Sequence, residues 1–285
     1  MRMRPQILCI IGDSRSGSTL LQYLLATQPG VAAVGELRRL AQLVREGRPC
    51  SCGHALHECP RWGPILARLD LRPRPRPRVS KRAGEAAGLL AGVPLGRAPA
   101  RRAAPAAARA ADQAATVYRL LGEQERCRVI VDSSKDPGHA LELALNGEIT
   151  VHPLYLFRDG RAVVHSKVRR TNIDPDVAIR HWRRLTTGML WLRRLRAGTT
   201  VHYEDLCADP RAVLEPVLAP LGIAVHLQDP PAPVTELHSL GGSPGFGVQS
   251  VERLHPDASW RSEAPAELLR AFDSAAGDLN RRLGY

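Results

Sequence analysis

The stretch QILCIIGDSRSGSTLLQYLL, residues 6–25, decides the fold class of this chain. It begins with an apolar run, continues through a short loop of glycine, serine and arginine, and ends in apolar residues at helical spacing. This order predicts a buried strand, a tight turn and an α-helix that begins at the turn. Gly12 and Gly17 have the spacing of a triphosphate-binding loop, but Ser18 stands where such a loop carries its lysine.

Arg15 and the small residues around it predict an anion site of a different kind. A turn that opens a helix presents backbone N–H groups and the positive end of the helix dipole to a negatively charged ligand. Arg15 adds a planar charge suited to oxyanions, and the hydroxyls of Ser18 and Thr19 are further donors. Without the lysine, the loop suits an anion that is shorter than a triphosphate and needs no magnesium. An ordinary glycine-rich turn is the alternative interpretation.

The rest of the chain alternates strand and helix patterns. Buried strands are predicted within RVIVDSS (128–134), HPLYLFRDG (152–160) and TTVHYEDL (199–206), and one of the intervening helices is predicted over residues 103–122. We therefore expect an α/β fold with a P-loop-type parallel sheet flanked by helices. Polar residues follow the strands in GDSRSGST, DSSKDP and FRDGR. Because the carboxyl ends of parallel strands meet at one edge, we expect a ligand site there.

Length and composition predict one domain. The chain has 285 residues and a hydrophobic content of 44%, which is enough for one sizeable core over residues 1–285. We expect an insertion at about residues 45–125, made of a cysteine loop and a helical Arg/Ala/Pro-rich lid. No apolar run is long enough to span a membrane, and the short N-terminal run leads into the glycine loop. We therefore predict a cytoplasmic protein.

The net charge of +12 predicts anionic partners. Much of this charge lies in the Arg-rich stretches of residues 72–109, which indicates either nucleic-acid binding or a solvated basic linker. We prefer the linker and expect no nucleic-acid partner, because the sequence has no zinc-finger, RRM or KH pattern.

Several of these motifs resemble those of one enzyme family. RSGSTLL after a strand resembles the 5′-phosphosulfate loop of sulfotransferases that use 3′-phosphoadenosine 5′-phosphosulfate (PAPS), and RDGRAVVHS resembles their 3′-phosphate motif. The resemblance is to tyrosylprotein sulfotransferases and related bacterial enzymes, and it extends through GELRR, SSKDP and VHYEDL. It implies transfer of a sulfonate group from PAPS to an acceptor hydroxyl, with no metal required. A donor with one phosphate on its 5′ side would explain the missing lysine.

The resemblance also implies which residues bind the donor. The residues that match the 5′ loop are Arg15, Ser16, Gly17, Ser18 and Thr19. Arg158, Ser166 and Arg170 match positions that bind the 3′-phosphate, and the last two share a helix face because they are four residues apart. A solvated basic helix is the alternative for Arg170. Tyr203 matches a family position near the nucleotide.

The resemblance implies three catalytic residues. Glu36 in GELRR matches the family's general base, and Lys135 in SSKDP matches the lysine that assists the leaving phosphate. Together with Arg15, Lys135 would stabilise the charge that develops during transfer. The alternatives are that Glu36 is only the N-terminal carboxylate of a helix and that Lys135 is a surface lysine at a strand end.

The C-terminal nucleotide loop departs from the family pattern. Ser259 precedes Trp260 where the tyrosylprotein enzymes have a lysine. The candidates to replace that lysine are Arg253 and Arg261, and the candidates for the family's transition-state serine are Ser243 and Ser250. The sequence does not choose between the members of either pair.

The segment CSCGHALHEC contains three of the six cysteines. Cys50, Cys52 and Cys59, together with His54 and His57, have the residue types of a zinc site, but a second clean Cys pair is missing. A reduced loop that packs near the acceptor entrance is the alternative, and we assign no metal ligand from the sequence.

Two other functions stay open at this point. One is a P-loop kinase-like phosphotransferase, against which the missing lysine argues. The other is a non-enzymatic basic protein that binds polyanions through its Arg-rich segment. For a sulfotransferase the acceptor could be a small molecule, a glycan, a lipid or a peptide hydroxyl. The sequence determines neither the acceptor nor the oligomeric state.

Overall fold

The structure is a computed structural model that describes residues 4–69, 102, 104–228, 233–242 and 254–285. Within these residues five parallel strands form one sheet in the order β2-β3-β1-β4-β5. The strands are β1 (Gln6–Gly12), β2 (Val31–Gly35), β3 (Val129–Lys135), β4 (Thr150–Phe157) and β5 (Thr199–His202). The parallel sheet flanked by helices confirms the predicted α/β class.

The helices alternate with the strands along the chain. They are α1 (Ser18–Ala26), α2 (Leu40–Arg45), α3 (Trp62–Leu66), α4 (Pro105–Glu125), α5 (Pro137–Leu143), α6 (Gly160–Thr171), α7 (Pro175–Leu195), α8 (Tyr203–Ala208), α9 (Pro210–Leu218), α10 (Trp260–Glu263) and α11 (Ala266–Arg282). Short 3-10 helices cover Leu37–Arg39, Ala219–Leu221 and Val234–Leu237. None of the helices in the described ranges is both long enough and apolar enough to cross a membrane.

Strand β1 lies at the centre of the sheet and is buried on both faces. Ile7, Cys9 and Ile11 pack on one face in a cluster that includes residues of α4, α5 and α7. Leu8 and Ile10 pack on the other face with α1, α8 and α9. Successive side chains of a strand point to opposite faces, so the continuous apolar run of β1 fits a sheet covered on both sides.

Helix α4 is part of this core. Its start and end lie within three residues of the predicted range 103–122, and alanines along one side are buried with Tyr118 and Leu121. The Arg/Pro-rich residues that precede α4, which we expected to form a lid, lie outside the described residues. The predicted insertion and its role in shaping an acceptor pocket therefore stay predictions.

A buried polar network joins α4 to the end of β3. The Tyr118 hydroxyl donates to Asp132 Oδ2 at 2.5 Å, the Ser134 N–H donates to Asp132 Oδ1 at 2.7 Å, and His139 Nε2 lies 3.2 Å from Oδ2. Burial opposes the charge on Asp132, but His139 and the two hydrogen bonds outweigh it and hold the pKa of Asp132 below its ordinary value. The network stabilises the end of β3, where Lys135 lies.

Tyr118→Phe tests this network. The variant removes a donor from a buried carboxylate, so we expect the free energy of unfolding to fall by about 2 kcal/mol. The measurement is urea unfolding followed by circular dichroism. The control is Tyr155→Phe, whose hydroxyl donates to the Arg196 carbonyl in a partly buried position and which should cost about 1 kcal/mol. Equal losses in the two variants would contradict a special role for Tyr118.

Candidate functional site

The loop between β1 and α1 has the backbone of an anion-binding turn. Arg15 and Gly17 have φ angles of 72° and 87°, and α1 begins immediately after Gly17. A Cβ atom at Gly17 would lie 2.2 Å from Cδ2 of Tyr203, so glycine is required both by the backbone and by the aromatic ring packed against it. The turn therefore presents the N-terminus of α1 at the carboxyl edge of the sheet, as predicted from residues 6–25.

A buried ion pair fastens this loop to α6. Lys167 Nζ lies 2.7 and 2.6 Å from the two carboxylate oxygens of Asp13, and both side chains are almost completely buried. His181 Nδ1 lies 2.9 Å from the same Nζ. Neither Asp13 nor Lys167 was predicted from the sequence as a site residue. Lys167 does lie next to Ser166 in the second motif, but no local pattern shows that its partner is 154 positions away.

The two motifs that the sequence predicts to bind a nucleotide meet at Arg15. Its Nε donates to Ser166 Oγ at 3.2 Å, and Arg158 Nη1 donates to the Arg15 carbonyl at 2.9 Å. Burial and the nearby positive charges of Arg170 and Arg158 lower the pKa of Arg15, although Asp257 acts in the opposite direction. The structure therefore brings Arg15, Arg158, Ser166 and Arg170 together, and a bound anion would relieve the repulsion between the three guanidinium groups.

Arg158 is held by a set of contacts that the sequence analysis did not foresee. Its Nη2 donates to the carbonyl of Asp257 at 2.8 Å and to Oδ2 of the same residue at 3.3 Å. Its guanidinium lies 4.3 Å from the centroid of the Tyr203 ring, and the Tyr203 hydroxyl accepts from the Asp257 N–H at 3.2 Å. Burial raises the pKa of Tyr203 to about 12, so its hydroxyl is neutral at physiological pH. The buried Nε of Arg158 has no hydrogen-bond partner in the described parts of the chain.

The residues of the predicted C-terminal loop are only partly described. The guanidinium groups of Arg161 and Arg261 lie 4.7 and 4.9 Å from the centroid of the Trp260 ring. The Ser259 N–H donates to Asp257 Oδ1 at 3.2 Å. The candidates Ser243, Ser250 and Arg253 lie outside the described residues.

Glu36 and Lys135 form an ion pair at the ends of β2 and β3. Lys135 Nζ lies 2.5 Å from Glu36 Oε1, and Arg39 Nη1 donates to Oε2 at 2.8 Å. Burial of Glu36 opposes its ionisation, but Lys135 and Arg39 outweigh this effect, so the pKa of Glu36 lies below its ordinary value. Glu36 is therefore a carboxylate at neutral pH. Glu36 is the residue that flanks the start of the following helical turn, although its side chain makes no capping hydrogen bond there, so both interpretations of Glu36 stay predictions.

Residues 240–242 connect this ion pair to the glycine loop. The Glu36 N–H donates to the Leu240 carbonyl at 2.8 Å, and the Leu240 N–H donates to the Val34 carbonyl at 3.1 Å. Gly241 lies against the Glu36 carboxylate, and Gly242 lies against Thr19, since Cβ atoms built on these glycines would be 3.2 and 3.8 Å from the two side chains. Glu36, Lys135 and the glycine loop therefore border one site.

Comparisons with known proteins find the same fold. No family model matches the sequence, and no curated protein matches it. The sulfotransferase domain of the curacin biosynthetic pathway is 18% identical, with a TM-score of 0.51, over 96% of this chain and 98% of that one. The sulfotransferase domain of the Synechococcus PCC 7002 olefin synthase is 20% identical, with a TM-score of 0.47, over 96% and 95% of the two chains. The sulfotransferase STF9 of Mycobacterium avium is 16% identical, with a TM-score of 0.41, over 76% and 63%.

The likeness to the curacin domain spans nearly the whole of both chains, and at this identity it establishes the fold. The protein therefore has the fold of a sulfotransferase domain, as the motifs predicted.

Gly17→Ala tests the close approach of Tyr203 to the loop. We expect a loss of about 2–5 kcal/mol in the free energy of unfolding, because a positive φ and a steric clash act together. Gly30→Ala is the matched control, since Gly30 also has a positive φ of 74° but has nothing within 4 Å of the added Cβ. That control should lose only about 1–2 kcal/mol. Similar losses in chemical denaturation of the two variants would show that the contact with Tyr203 is unimportant.

Lys135→Met tests the cause of the low Glu36 pKa. Without the lysine charge, burial dominates, and we expect the pKa of Glu36 to rise above the ordinary glutamate value of about 4.3. The measurement is a pH titration of the carbon-13 carboxyl resonances, with Glu36→Gln used to assign the signal. Arg45→Met, at an exposed position on α2, is the control and should leave the pKa unchanged. An unchanged Glu36 pKa in Lys135→Met would contradict the ion pair.

Proposed function

We propose that this protein is a sulfotransferase that transfers a sulfonate group from PAPS to an acceptor hydroxyl. The observation that carries the proposal is the hydrogen bond between Arg15 and Ser166, which joins the two nucleotide motifs into one cationic site. The fold of the curacin sulfotransferase domain supports it, because that fold presents the loops after β1 and β4 at the same edge.

In this proposal the glycine loop binds the 5′ side of the donor. The loop residues are Arg15, Ser16, Gly17, Ser18 and Thr19. The helix dipole and N–H groups act on the phosphosulfate, and Arg15 adds a charge. The 5′ side has no β- and γ-phosphates for a lysine to bridge, so Ser18 suffices at that position, and this binding mode uses no magnesium.

Arg158, Ser166 and Arg170 bind the 3′-phosphate in the same proposal. An arginine fork and a hydroxyl are a suitable set of donors for a phosphate. The buried Arg158 Nε that has no partner in the described residues gives the phosphate a further donor. The Asp257 carboxylate forms a salt bridge with the guanidinium of Arg158, so a 3′-phosphate would compete with this carboxylate and displace it. Tyr203 keeps the arginine in place through its ring.

Glu36 and Lys135 carry out the transfer. The acceptor oxygen forms a bond to sulfur while the bond between sulfur and the bridging phosphate oxygen breaks. The acceptor proton passes to the Glu36 carboxylate, and the charge on the departing phosphate is stabilised by Lys135 and Arg15. In this step Lys135 turns from Glu36 to the bridging oxygen. Of the two cations that lower the pKa of Glu36, only Arg39 then remains beside it to oppose the effect of burial. The pKa of Glu36 therefore rises, and Glu36 becomes a stronger base.

The acceptor is a hydroxyl of a small molecule, glycan, lipid or peptide. We also propose that the protein is cytoplasmic and has no nucleic-acid partner.

The test is calorimetric titration of the wild type with 3′-phosphoadenosine 5′-phosphate in the absence of magnesium, compared with ATP plus magnesium. We expect the first ligand to bind tightly. Arg158→Ala should weaken this binding about 10- to 100-fold, because hydrogen bonds to charged groups contribute about 1.5–3 kcal/mol each. Arg170→Ala serves as a second variant at an exposed position, in case Arg158→Ala does not fold.

Arg169→Ala is the matched control for this titration. Arg169 lies on the same helix, is exposed and pairs with Glu263, so its loss should change the affinity little. A preference for ATP with magnesium would support the phosphotransferase instead. Binding of neither nucleotide would exclude the PAPS site and favour the polyanion-binding protein.

A further inference from the structure

Three cysteines and one histidine from distant parts of the chain converge beside the candidate site. The side-chain ligand atoms of Cys50, Cys52, Cys59 and His238 all lie within 4.8 Å of one another. Cys52 Sγ is 3.7 Å from Cys59 Sγ, and Cys59 Sγ is 3.3 Å from His238 Nδ1. The histidine is 179 positions from Cys59, so this cluster exists only in the folded chain.

We propose that this Cys₃His cluster binds one zinc ion. Three thiolates and an imidazole are a common ligand set of structural zinc sites, and thiolates favour zinc over hard cations such as magnesium and calcium. A tetrahedral zinc with Zn–S bonds of about 2.3 Å separates its sulfur ligands by about 3.8 Å. The distance of 3.7 Å between Cys52 and Cys59 agrees with this geometry. Four protein ligands leave no open position, so the ion has a structural role.

The local backbone places the cysteines for such a role. The Cys50 N–H donates to the His54 carbonyl, and the Gly53 N–H donates to the Cys50 carbonyl, both at 2.9 Å. Gly53 has a φ of 89°, which this tight turn requires. The turn brings the thiols at positions 50 and 52 together, and Cys59 joins them from the approach to α3.

The backbone at His238 is also fixed. His238 has a φ of 45°, which is uncommon for a residue other than glycine and persists where the surrounding structure holds it. Its carbonyl accepts from Trp62 Nε1 at 2.6 Å. The neighbouring Ser239 N–H donates to Ser51 Oγ at 2.8 Å, and the Ser51 N–H donates to the Ser239 carbonyl at 3.2 Å. Such outer contacts orient the ligands of a metal site.

The converging cluster takes its histidine from outside the cysteine loop. His54 and His57, the histidines considered from the sequence, do not belong to it, although the His54 side chain hydrogen-bonds Cys52. The side chain of His57 is 76% exposed. The histidine ligand of the cluster is His238 instead.

The cluster lies two residues from the segment that borders Glu36. Leu240 follows His238 by two residues, and its carbonyl accepts a hydrogen bond from the Glu36 N–H. The next residue, Gly241, lies against the Glu36 carboxylate. A zinc ion would therefore link the cysteine loop to residues 238–242 and stabilise the conformation of this side of the candidate site. The zinc site itself does not depend on which donor the protein binds.

The experiment is metal analysis of the purified chain of residues 1–285 by plasma mass spectrometry. We expect about one zinc per chain in the wild type. Cys59→Ser and His238→Asn should lose the zinc, and His57→Asn, the matched control in the same loop, should retain it. Cobalt-substituted wild type should show thiolate charge-transfer and tetrahedral ligand-field absorption bands.

A second measurement uses only the wild type, in case the variants fold poorly. Titration with an organomercurial reagent in the presence of a zinc indicator should release about one zinc as the thiols of the cluster are modified. A folded wild type without zinc, whose thermal unfolding midpoint does not change on zinc addition, would overturn the proposal. An iron content in place of zinc, or a disulfide between Cys52 and Cys59 in the purified protein, would also overturn it.

Discussion

The buried ion pair between Asp13 and Lys167 is the interaction on which the candidate donor site depends. It joins the glycine loop after β1 to helix α6, which carries most of the second predicted motif. A buried charge whose partner is removed is strongly destabilising, so these two elements keep one relative position. Arg15 and Ser166 each lie close in sequence to a member of this pair, and their side chains are hydrogen-bonded to each other.

The site has two chemically different halves. The half formed by Arg15, Arg158 and Arg170 concentrates positive charge, which suits the phosphates of a nucleotide. The half formed by Glu36 and Lys135 is an internally neutralised ion pair, and in the proposed reaction this pair separates when Lys135 binds the bridging oxygen of the donor. Residues 240–242 lie against Glu36 and against Thr19 of the glycine loop, and His238 of the Cys₃His cluster lies just before this segment. A structural metal at that point would stabilise the segment that runs from Glu36 to the glycine loop.

Much of the fold and several site residues could be predicted because their signals are local. The apolar run of β1, the glycine loop and the start of α1 follow from residues 6–25, and helix α4 follows from its alanine-rich pattern. Glu36 and Lys135 could be singled out by their motifs, and the structure brings them together, although their catalytic roles stay predictions. Asp257 could not be predicted as the partner of Arg158, because an aspartate beside a predicted phosphate-binding arginine has no recognisable local pattern.

The sequence by itself determined four of the five strands, since β2 was not predicted, and it singled out the first loop and the second motif, whose binding roles stay predictions. These depend on residues within a few turns of one another, where periodicity and turn chemistry act directly. Only the tertiary structure decided which distant side chains meet: Asp13 with Lys167, and the cysteine loop with His238. Such pairs depend on the sheet order and on how loops cross its carboxyl edge. Residues more than a hundred positions apart carry no local sign of their contact.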